Sequence, residues 1–345
     1  MSRLFFLLSG EHPSLPFSEL KSILTAEGHE HRELERLTQV LRVETNVSSS
    51  KAAAFRSAMT RVCGLEFFSC AAEFEEILEK MQSTSLDAFL KPRESFAVRI
   101  RRIQRAAPRL TRVELERKLG ELIQGRVKGA KVNLDSPDKT FFGILTDDRF
   151  IFGLKVAETP TKPFFDRNPQ KRPFFHPTAM PPKLARCMVN FAQPKRGDLV
   201  LDPFCGTASM LIEAGLIGCK VLGLDVQPSM VGGSLQNLMH FGVEPEGLIV
   251  ADARQVPVGE IDCIVTDPPY GRSATTLGET TGQIIESFLS SVDAFLPKER
   301  RVCIAAPKSV ELGEIGKRLG LKHEESHLVY VHRSLTREIA VFERM

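Results

Sequence analysis

The 345-residue sequence lacks several features that would assign it to a class of protein at once. It has no run of about 18 apolar residues, so we expect no membrane-spanning helix. The apolar run at residues 4–8 is too short for a signal peptide and is predicted to form a β-strand. The seven cysteines form no C-x-x-C pair, which argues against a disulfide framework and against a structural zinc site. A protein of the reducing cytoplasm, with no membrane association, fits these absences best.

The net charge of +3 conceals an uneven distribution. Residues 91–131, which we call the basic block, contain thirteen Lys and Arg and four Glu, a net charge of +9, so the rest of the chain carries −6. Concentrated positive charge favours a polyanion partner such as a nucleic acid, although a solvated helix-and-strand surface can have the same composition. The candidate RNA contacts of the block are Arg99, Arg101, Arg102, Arg105 and Arg109.

Hydrophobic patterning predicts two small modules in the first half of the chain. Residues 1–60 alternate short apolar runs with helical patterns and are predicted to form an α+β module. Residues 61–158 are predicted to form a second one, with a strand at 95–103 and a helix at 113–123. The apolar stripe of that helix comprises Val113, Leu115, Leu119, Leu122 and Ile123.

Residues 159–182 form a linker with seven prolines and no sustained period. Because proline fixes φ and lacks an N–H, we expect this segment to be extended and stiff. Phenylalanines alternate with cations here, and the rings can either stack on RNA or pin the linker to both of the domains that it joins. We favour pinning for the rings, which are Phe164, Phe165, Phe174 and Phe175.

From residue 183 onward, short apolar strands alternate with helices. This pattern predicts a parallel sheet covered on both faces, closed by a C-terminal antiparallel hairpin at 327–332 and 338–342. The predicted strands are 199–202, 220–225, 248–252, 263–266 and 302–306, and the predicted helices are 207–217, 229–241 and 282–296.

Three carboxylates stand at the ends of three successive predicted strands. Asp202 opens the turn D-P-F-C-G-T, which is neither a dinucleotide loop nor a P-loop, and Gly206 in that turn lets the backbone approach a ligand closely. A ligand with an amine and a sulfonium suits Asp202 better than a pyrophosphate would. Asp225 suits a ribose diol and Asp252 an adenine amino group, although helix capping explains either one equally well alone. The three positions together favour a ligand site.

The motif D-P-P-Y-G at residues 267–271 follows the strand predicted at 263–266. Exocyclic amino nitrogens are poor nucleophiles because their lone pair is delocalised into the ring, so a catalyst must accept their N–H groups and align the nitrogen with a methyl donor. Asp267 can accept with its carboxylate, and a rigid proline pair can aim the Pro268 carbonyl at the same amine. Tyr270 can stack on the base.

These motifs resemble those of a known family. D-P-P-Y at 267–270 resembles the [D/N]-P-P-[Y/F] catalytic motif of class I amino-methyltransferases, and D-P-F-C-G-T at 202–207 resembles the cofactor loop of RNA guanine-N2 enzymes. R-P-F-F-H-P at 172–177 and M-P-P-K-L-A-R at 180–186 resemble the segment before the catalytic domain of THUMP-containing tRNA methyltransferases. Residues 61–158 resemble a THUMP domain in length, position and basic character. The sequence is most similar to the archaeal family that forms N2-methyl- and N2,N2-dimethylguanosine at tRNA position 10, and Asp267 favours that family over relatives acting at position 6, which have Asn.

The resemblance implies a class I, Rossmann-like α/β methyltransferase domain at 183–345, preceded by a ferredoxin-like module at 1–60 and a THUMP module at 61–158. It implies S-adenosyl-L-methionine as cofactor, tRNA as partner, gripped by the basic block near its 3′ end, and transfer without a metal. It leaves open whether a small activator subunit, as in some relatives, is required. The implied cofactor-binding residues are Pro177, Asp202, Phe204, Gly206, Thr207, Asp225, Asp252 and Ala253; the implied catalytic residues are Asp267, Pro268, Pro269 and Tyr270; Arg172 joins the RNA contacts.

Three alternatives stay open at this point. A DNA adenine-N6 or cytosine-N4 methyltransferase shares the D-P-P-Y chemistry, but the basic module and the linker motif argue against it. A tRNA guanine-N2 enzyme can also act at another position, such as 6. An RNA-binding protein with a decayed methyltransferase fold is disfavoured by the intact set of strand-end acids.

Overall fold

A computed structural model describes residues 1–86, 88–269 and 280–345. These residues divide into two compact units. Unit 1 comprises Met1–Glu11, Gly28–Phe55 and Thr60–Pro160; unit 2 comprises His12–Glu27, Arg56–Met59 and Thr161–Met345. No helix in the described ranges is long and apolar enough to cross a membrane.

The secondary structure alternates between strands and helices along the described chain. The strands are β1 (Ser2–Leu8), β2 (His31–Leu37), β3 (Val40–Thr45), β4 (Thr60–Ala71), β5 (Ser95–Arg102), β6 (Lys131–Val132), β7 (Lys139–Thr146), β8 (Arg149–Glu158), β9 (Leu199–Asp202), β10 (Lys220–Asp225), β11 (Gly247–Val250), β12 (Cys263–Thr266), β13 (Arg301–Pro307), β14 (Lys322–His332) and β15 (Leu335–Glu343). The α-helices are α1 (Leu15–Ala26), α2 (Ser49–Arg56), α3 (Phe74–Ser83), α4 (Arg112–Arg126), α5 (Lys162–Asp166), α6 (Pro182–Phe191), α7 (Ser209–Gly215), α8 (Pro228–His240), α9 (Thr281–Ser291) and α10 (Leu312–Arg318).

Unit 1 is built on one eight-stranded sheet in the order β2-β3-β1-β4-β8-β7-β5-β6. Strand β4 pairs with β1 on one side, where Leu65 faces Leu4, and with β8 on the other, where Leu65 faces Leu154. The sheet is therefore continuous across residue 60, and the predicted separation into modules 1–60 and 61–158 differs from the structure. The physical reason is the length of β4, whose twelve residues provide hydrogen-bonding partners to both halves.

The helices α3 and α4 pack on this sheet over a phenylalanine-rich core. In α4, Leu115, Leu119 and Ile123 are fully buried, which confirms most of the predicted apolar stripe. Val113 is 71% exposed, so its assignment to the stripe was wrong. It lies two residues before Leu115, which places it about 200° around the helix from the i, i+4, i+8 series that faces the sheet.

The proline-rich segment is less extended than predicted. It contains helix α5 and a 3-10 turn at Pro169–Lys171, each with a proline at its start, where the fixed φ of proline favours helix initiation. Phe164 is buried beneath the guanidinium of Arg167, and the Phe174 ring lies so close to Gly233 that a Cβ there would approach it to 2.1 Å. These two rings pin the segment within unit 2, whereas Phe165 and Phe175 are exposed.

Unit 2 contains a seven-stranded sheet in the order β11-β10-β9-β12-β13-β15-β14. The strands from β9 to β13 are parallel, and β15 is antiparallel to both β13 and β14. From β9 the chain proceeds outward through β10 to β11, and it then returns to the other side of β9 to form β12. In an open sheet of this kind, ligands bind beyond the carboxyl ends of the strands at this reversal of order.

Helix α1 belongs to unit 2 although it lies near the start of the chain. Its Leu15 joins the same apolar core as Met59 and Phe191. The buried Glu19 carboxylate accepts hydrogen bonds from the Ser57 hydroxyl at 2.6 Å and from the Met59 amide at 2.9 Å, while burial raises the pKa of Glu19. Residues 12–27 therefore complete the C-terminal unit, and their predicted grouping with 1–60 was wrong because local patterning does not specify a distant partner.

Candidate active site

A cavity of about 630 Å³ opens in unit 2 beyond the carboxyl ends of the central strands. Three parts of its wall follow β9, β10 and β11, and a fourth follows β12. Among the predicted site residues, those that line it are Pro177, Phe204, Gly206, Asp225, Asp252, Ala253, Asp267, Pro268 and Pro269. Its volume lies within the range of about 300–1,000 Å³ that is common for small-molecule sites. The fold therefore brings most of the predicted residues to one place.

Asp202 lies behind this wall rather than in it. Its side chain is only 2% exposed, and Oδ1 accepts hydrogen bonds from the Thr266 hydroxyl at 2.6 Å and the Phe204 amide at 3.1 Å. Burial raises the pKa of Asp202 to about 7. Thr207 is also buried, with its hydroxyl 3.5 Å from that of Ser209. Asp202 thus joins the ends of β9 and β12. Asp202 and Thr207 were both predicted to bind the cofactor, but neither side chain lines the cavity.

Asp225 presents a fixed carboxylate to the cavity. Its Oδ2 accepts a hydrogen bond from the Gly206 amide at 3.0 Å and its Oδ1 accepts one from the Gln227 amide at 2.9 Å. Gly206 has a φ of +51°, a left-handed conformation that glycine adopts without the Cβ penalty. Burial raises the pKa of Asp225 despite these two bonds. A carboxylate held in this way can accept from neutral hydroxyl groups of a ligand.

Asp252 lies two residues beyond the end of β11 and forms an ion pair with Arg254, whose Nε lies 3.0 Å from both carboxylate oxygens. The Arg254 guanidinium lowers the pKa of Asp252. Both residues line the cavity. The sequence pattern identified Asp252 but not Arg254. Whether two side chains so close in sequence form an ion pair depends on the conformation of the turn after the strand, which the pattern does not specify.

Asp267 continues directly from β12 into the cavity wall. Its Oδ2 lies 3.3 Å from Nη2 of Arg337 on β15. The following Pro269 carbonyl accepts a hydrogen bond from the Thr281 hydroxyl at 3.2 Å, which ties the proline turn to the start of α9. Tyr270, the predicted stacking residue, lies outside the described residues. The described part of the chain contains no group of three side chains positioned to hold a metal ion.

Comparison with known proteins agrees with this geometry. One family model, described as an RMKL-like methyltransferase domain, matches residues 169–339, and a THUMP domain model matches residues 71–155. The tRNA (guanine(10)-N2)-dimethyltransferase of Methanothermobacter thermautotrophicus is 39% identical over 345 residues, which cover 98% of either chain. The enzyme of the same name from Methanocaldococcus jannaschii is 32% identical, with 99% of either chain covered.

The chain belongs to the tRNA (guanine(10)-N2)-dimethyltransferase family. The crystal structure of TrmN from Thermus thermophilus shares its fold, with a TM-score of 0.56 over 99% of this chain and 100% of that one, at 22% identity. This likeness confirms the predicted α/β methyltransferase fold. The THUMP model falls within the predicted range of 61–158, and it covers part of the single sheet of unit 1.

One residue of this family member that sequence analysis missed is Asn237 on α8. Its fully buried amide accepts a hydrogen bond from the Phe174 amide at 3.0 Å and donates to the carbonyls of Phe174 at 2.9 Å and Thr207 at 3.1 Å. One helical turn earlier, the Ser234 hydroxyl donates to the Gly206 carbonyl at 2.7 Å. The inner face of α8 therefore fixes the turn after β9 and the segment that leads into the cavity. No sequence signal distinguishes these side chains from ordinary helix-face residues.

Arg172 was predicted to contact RNA, and its position contradicts this. It is 5% exposed, donates through Nε to the Arg167 carbonyl at 3.1 Å and through Nη1 to the Ser209 hydroxyl at 2.8 Å, and its pKa is lowered to about 10 by burial. A guanidinium buried and bonded in this way does not present itself to RNA phosphates. Of the basic-block candidates, Arg101, Arg105 and Arg109 are exposed.

Replacement of Asp225 by alanine is expected to weaken cofactor binding by about 1.5–3 kcal/mol, because a ligand hydroxyl would lose a charged acceptor. Calorimetric titration with S-adenosylmethionine measures the change. Asp198→Ala is a matched control, since Asp198 precedes β9 at the opposite end of the sheet and pairs with Arg300. An Asp225→Ala dissociation constant equal to that of the native protein would contradict the assignment.

The raised pKa of Asp202 predicts a pH-dependent stability. The folded protein binds this proton more tightly than the unfolded chain, so the stabilising contribution is present at low pH and is lost as the pH rises through about 7. The native protein should therefore lose stability relative to Asp202→Asn between about pH 4 and pH 7, by at most about 1.4 kcal/mol per pH unit, and the difference should level off above about pH 7. Thermal unfolding midpoints measure this, with the exposed Glu260→Gln as control. A constant difference between native protein and Asp202→Asn would rule the effect out.

Proposed function

We propose that this protein transfers methyl groups from S-adenosylmethionine to the exocyclic N2 of guanosine 10 in tRNA, forming N2-methylguanosine and then N2,N2-dimethylguanosine. The observation that carries the proposal is that Asp267 and its proline turn line the same cavity as Asp225 and Asp252. Membership of the family named for this reaction supports the choice of substrate and position.

The cofactor half of the cavity lies at the ends of β9, β10 and β11. There Asp225 can accept the ribose hydroxyls, and the Gly206 backbone allows close approach. Asp252 can accept a hydrogen bond from the adenine amine with a lone pair that Arg254 does not use, so the ion pair with Arg254 can remain. When bound, the cofactor supplies an electrophilic methyl group on a sulfonium, and a cavity with several acidic side chains favours that positive charge.

The acceptor half lies around Asp267. In the first transfer the Asp267 carboxylate can accept one N–H of the guanine amine and the Pro268 carbonyl the other, which orients the nitrogen for direct displacement. Asp267 can then take the proton that the nitrogen releases as its bond to the methyl group forms. In the second transfer N2-methylguanosine has one N–H left, which Asp267 can accept. The guanine must leave the base stack to reach this point, at a cost of a few kcal/mol. Cys205 and Cys263 are buried, which raises the pKa of each thiol, so neither provides a thiolate nucleophile.

Outside the cavity, we propose that tRNA binds to the exposed arginines of the basic block. These arginines lie within residues 71–155, the region that matches the THUMP model. All seven cysteines are free and buried, which fits action in the reducing cytoplasm.

The test is mass spectrometry of nucleosides from transcribed tRNA methylated by the purified single chain. We expect N2-methyl- and N2,N2-dimethylguanosine, and their loss when guanosine 10 is replaced by adenosine. Replacement of the nucleotide at position 6 is the matched control. Methylation that depends on position 6 would overturn the assigned position, methylation of plasmid DNA would favour the DNA enzyme, and cofactor binding without any transfer would favour an inactive fold. Transfer by the single chain would also show that no activator subunit is required.

A further inference from the structure

We propose that Arg337 is a positioning residue that holds the Asp267 carboxylate in its working orientation. The inference rests on the proposed function, in which Asp267 accepts the target amine. Arg337 lies on β15, in the C-terminal hairpin, whose only predicted role was to close the edge of the sheet. The structure brings this hairpin to the cavity, where Val331, His332, Leu335 and Arg337 form part of the wall.

The backbone of Arg337 is fixed from both sides. It pairs with Pro307 at the end of β13 and with Val329 on β14. Because β13 lies between β12 and β15, the Arg337 side chain must cross the carboxyl end of β13 to reach Asp267. Its Nη2 lies 3.3 Å from Asp267 Oδ2, and the two side chains are only 10% and 16% exposed. Because the backbone of β15 is paired on both sides, the Arg337 side chain can follow only this path. Its contact with Asp267 is therefore better defined than that of a surface ion pair.

The charges around the cavity explain why such a cation is needed. Asp225, Asp252 and Asp267 all line the cavity, and Asp202 lies directly behind it. Burial and, after it, the negative charges of Asp267 and Asp225 raise the pKa of Asp202, so these carboxylates act on one another. The arginines that line the described wall are Arg254 and Arg337, and each is paired with one of these acids. Arg254 thus serves the cofactor half, and Arg337 serves the acceptor half.

The pairing has a geometric consequence. A charge-assisted contact on Oδ2 restricts rotation of the Asp267 carboxylate, so its plane is set before the base enters. Loss of Arg337 should therefore leave the cofactor site intact and impair alignment of the amine. Misplacement by about 1 Å at the reacting atoms can reduce a rate by about 100-fold.

The experiment compares Arg337→Ala, Arg337→Lys and Arg318→Ala in steady-state methylation of tRNA and in cofactor titration. Arg318 is a matched control, since it is an exposed arginine of unit 2 that pairs with Glu286 on α9. We expect kcat of Arg337→Ala to fall by about 10- to 100-fold with KM for tRNA and cofactor affinity changed less than about 2-fold. Arg337→Lys should recover part of the loss, and added guanidinium should raise the rate of Arg337→Ala but not of Arg318→Ala.

A normal kcat for Arg337→Ala, or a loss confined to KM, would overturn the proposal. If Arg337→Ala does not fold, Arg337→Lys decides: a folded variant with cofactor binding intact and kcat reduced by about 2-fold or more supports positioning, whereas a native kcat, or a change confined to KM, contradicts it. Failure of the proposed function is a separate result, because it would appear as normal turnover in Asp267→Ala itself.

Discussion

Replacement of Asp267 by alanine should abolish methyl transfer, with kcat reduced by about 1,000-fold or more and cofactor affinity nearly unchanged. The amine nitrogen of guanine reacts only when its hydrogens are accepted and its lone pair is turned toward the methyl group. Asp267 directly follows β12, and its carboxylate lines the acceptor half of the cavity. Its ion pair with Arg337 holds the carboxylate in that position. Alanine removes the acceptor and leaves a buried guanidinium without its anion.

Single-turnover methylation of tRNA separates this loss from changes in binding or product release. Asp267→Asn keeps a carbonyl oxygen at the same position and should retain more activity than Asp267→Ala. Asp262→Asn is the matched control, because Asp262 precedes the amino end of the same strand and pairs with Arg300. Near-native turnover by Asp267→Ala would remove the central step of the proposed mechanism.

Reversal of Arg101, Arg105 and Arg109 to glutamate should weaken tRNA binding by about 100- to 1,000-fold at moderate salt and leave cofactor binding unchanged. These side chains are exposed, whereas Arg99 donates to the Leu134 carbonyl at 2.5 Å and Arg102 to that of Leu110. Exposed guanidiniums can displace counterions from phosphates. Each lost contact should therefore make the salt dependence shallower by about 0.7–0.9 in logarithmic slope.

Filter binding of tRNA at several salt concentrations measures both effects. Arg117→Glu is the matched control within the same block, since Arg117 is already paired with Glu121 on α4 at 2.5 Å. If the triple variant binds tRNA as tightly as the native protein, the basic block is not the anchor, and the linker and catalytic face must hold the RNA instead.

The parts of the site that could be predicted are those encoded by short-range pattern. Strands β9, β10 and β12 were predicted with their observed bounds, because each is a short apolar run that ends at or just before an aspartate. From the ends of β10 and β12 the positions of Asp225 and Asp267 at one cavity follow directly. Asp252 also lines this cavity, but β11 ends at Val250 and not at the predicted residue 252.

The parts that could not be predicted depend on partners far along the chain. Asp202 is turned from the cavity by Thr266, 64 residues away, and Asp267 is held by Arg337 from the last strand. Arg172 is buried in a cluster where Arg167 and Arg186 share the carboxylate of Glu213, although its composition alone suggested a surface cation. Periodicity reports which face of an element is apolar, and it carries no information on which distant side chain meets a polar one.

The membership of α1 in unit 2 has a consequence for biosynthesis. The ribosome produces residues 12–27 and 56–59 long before helix α6 (Pro182–Phe191), against which α1 packs. The apolar face of α1, including Leu20, Ile23 and Leu24, therefore lacks this partner until more than half of the chain has been synthesised. During that interval the strands of unit 1 can pair, because the last of them, β8, is complete once residue 158 has been added. A gene fragment that encodes only residues 172–345 therefore lacks helix α1 and residues 56–59, which contribute to the apolar core of unit 2.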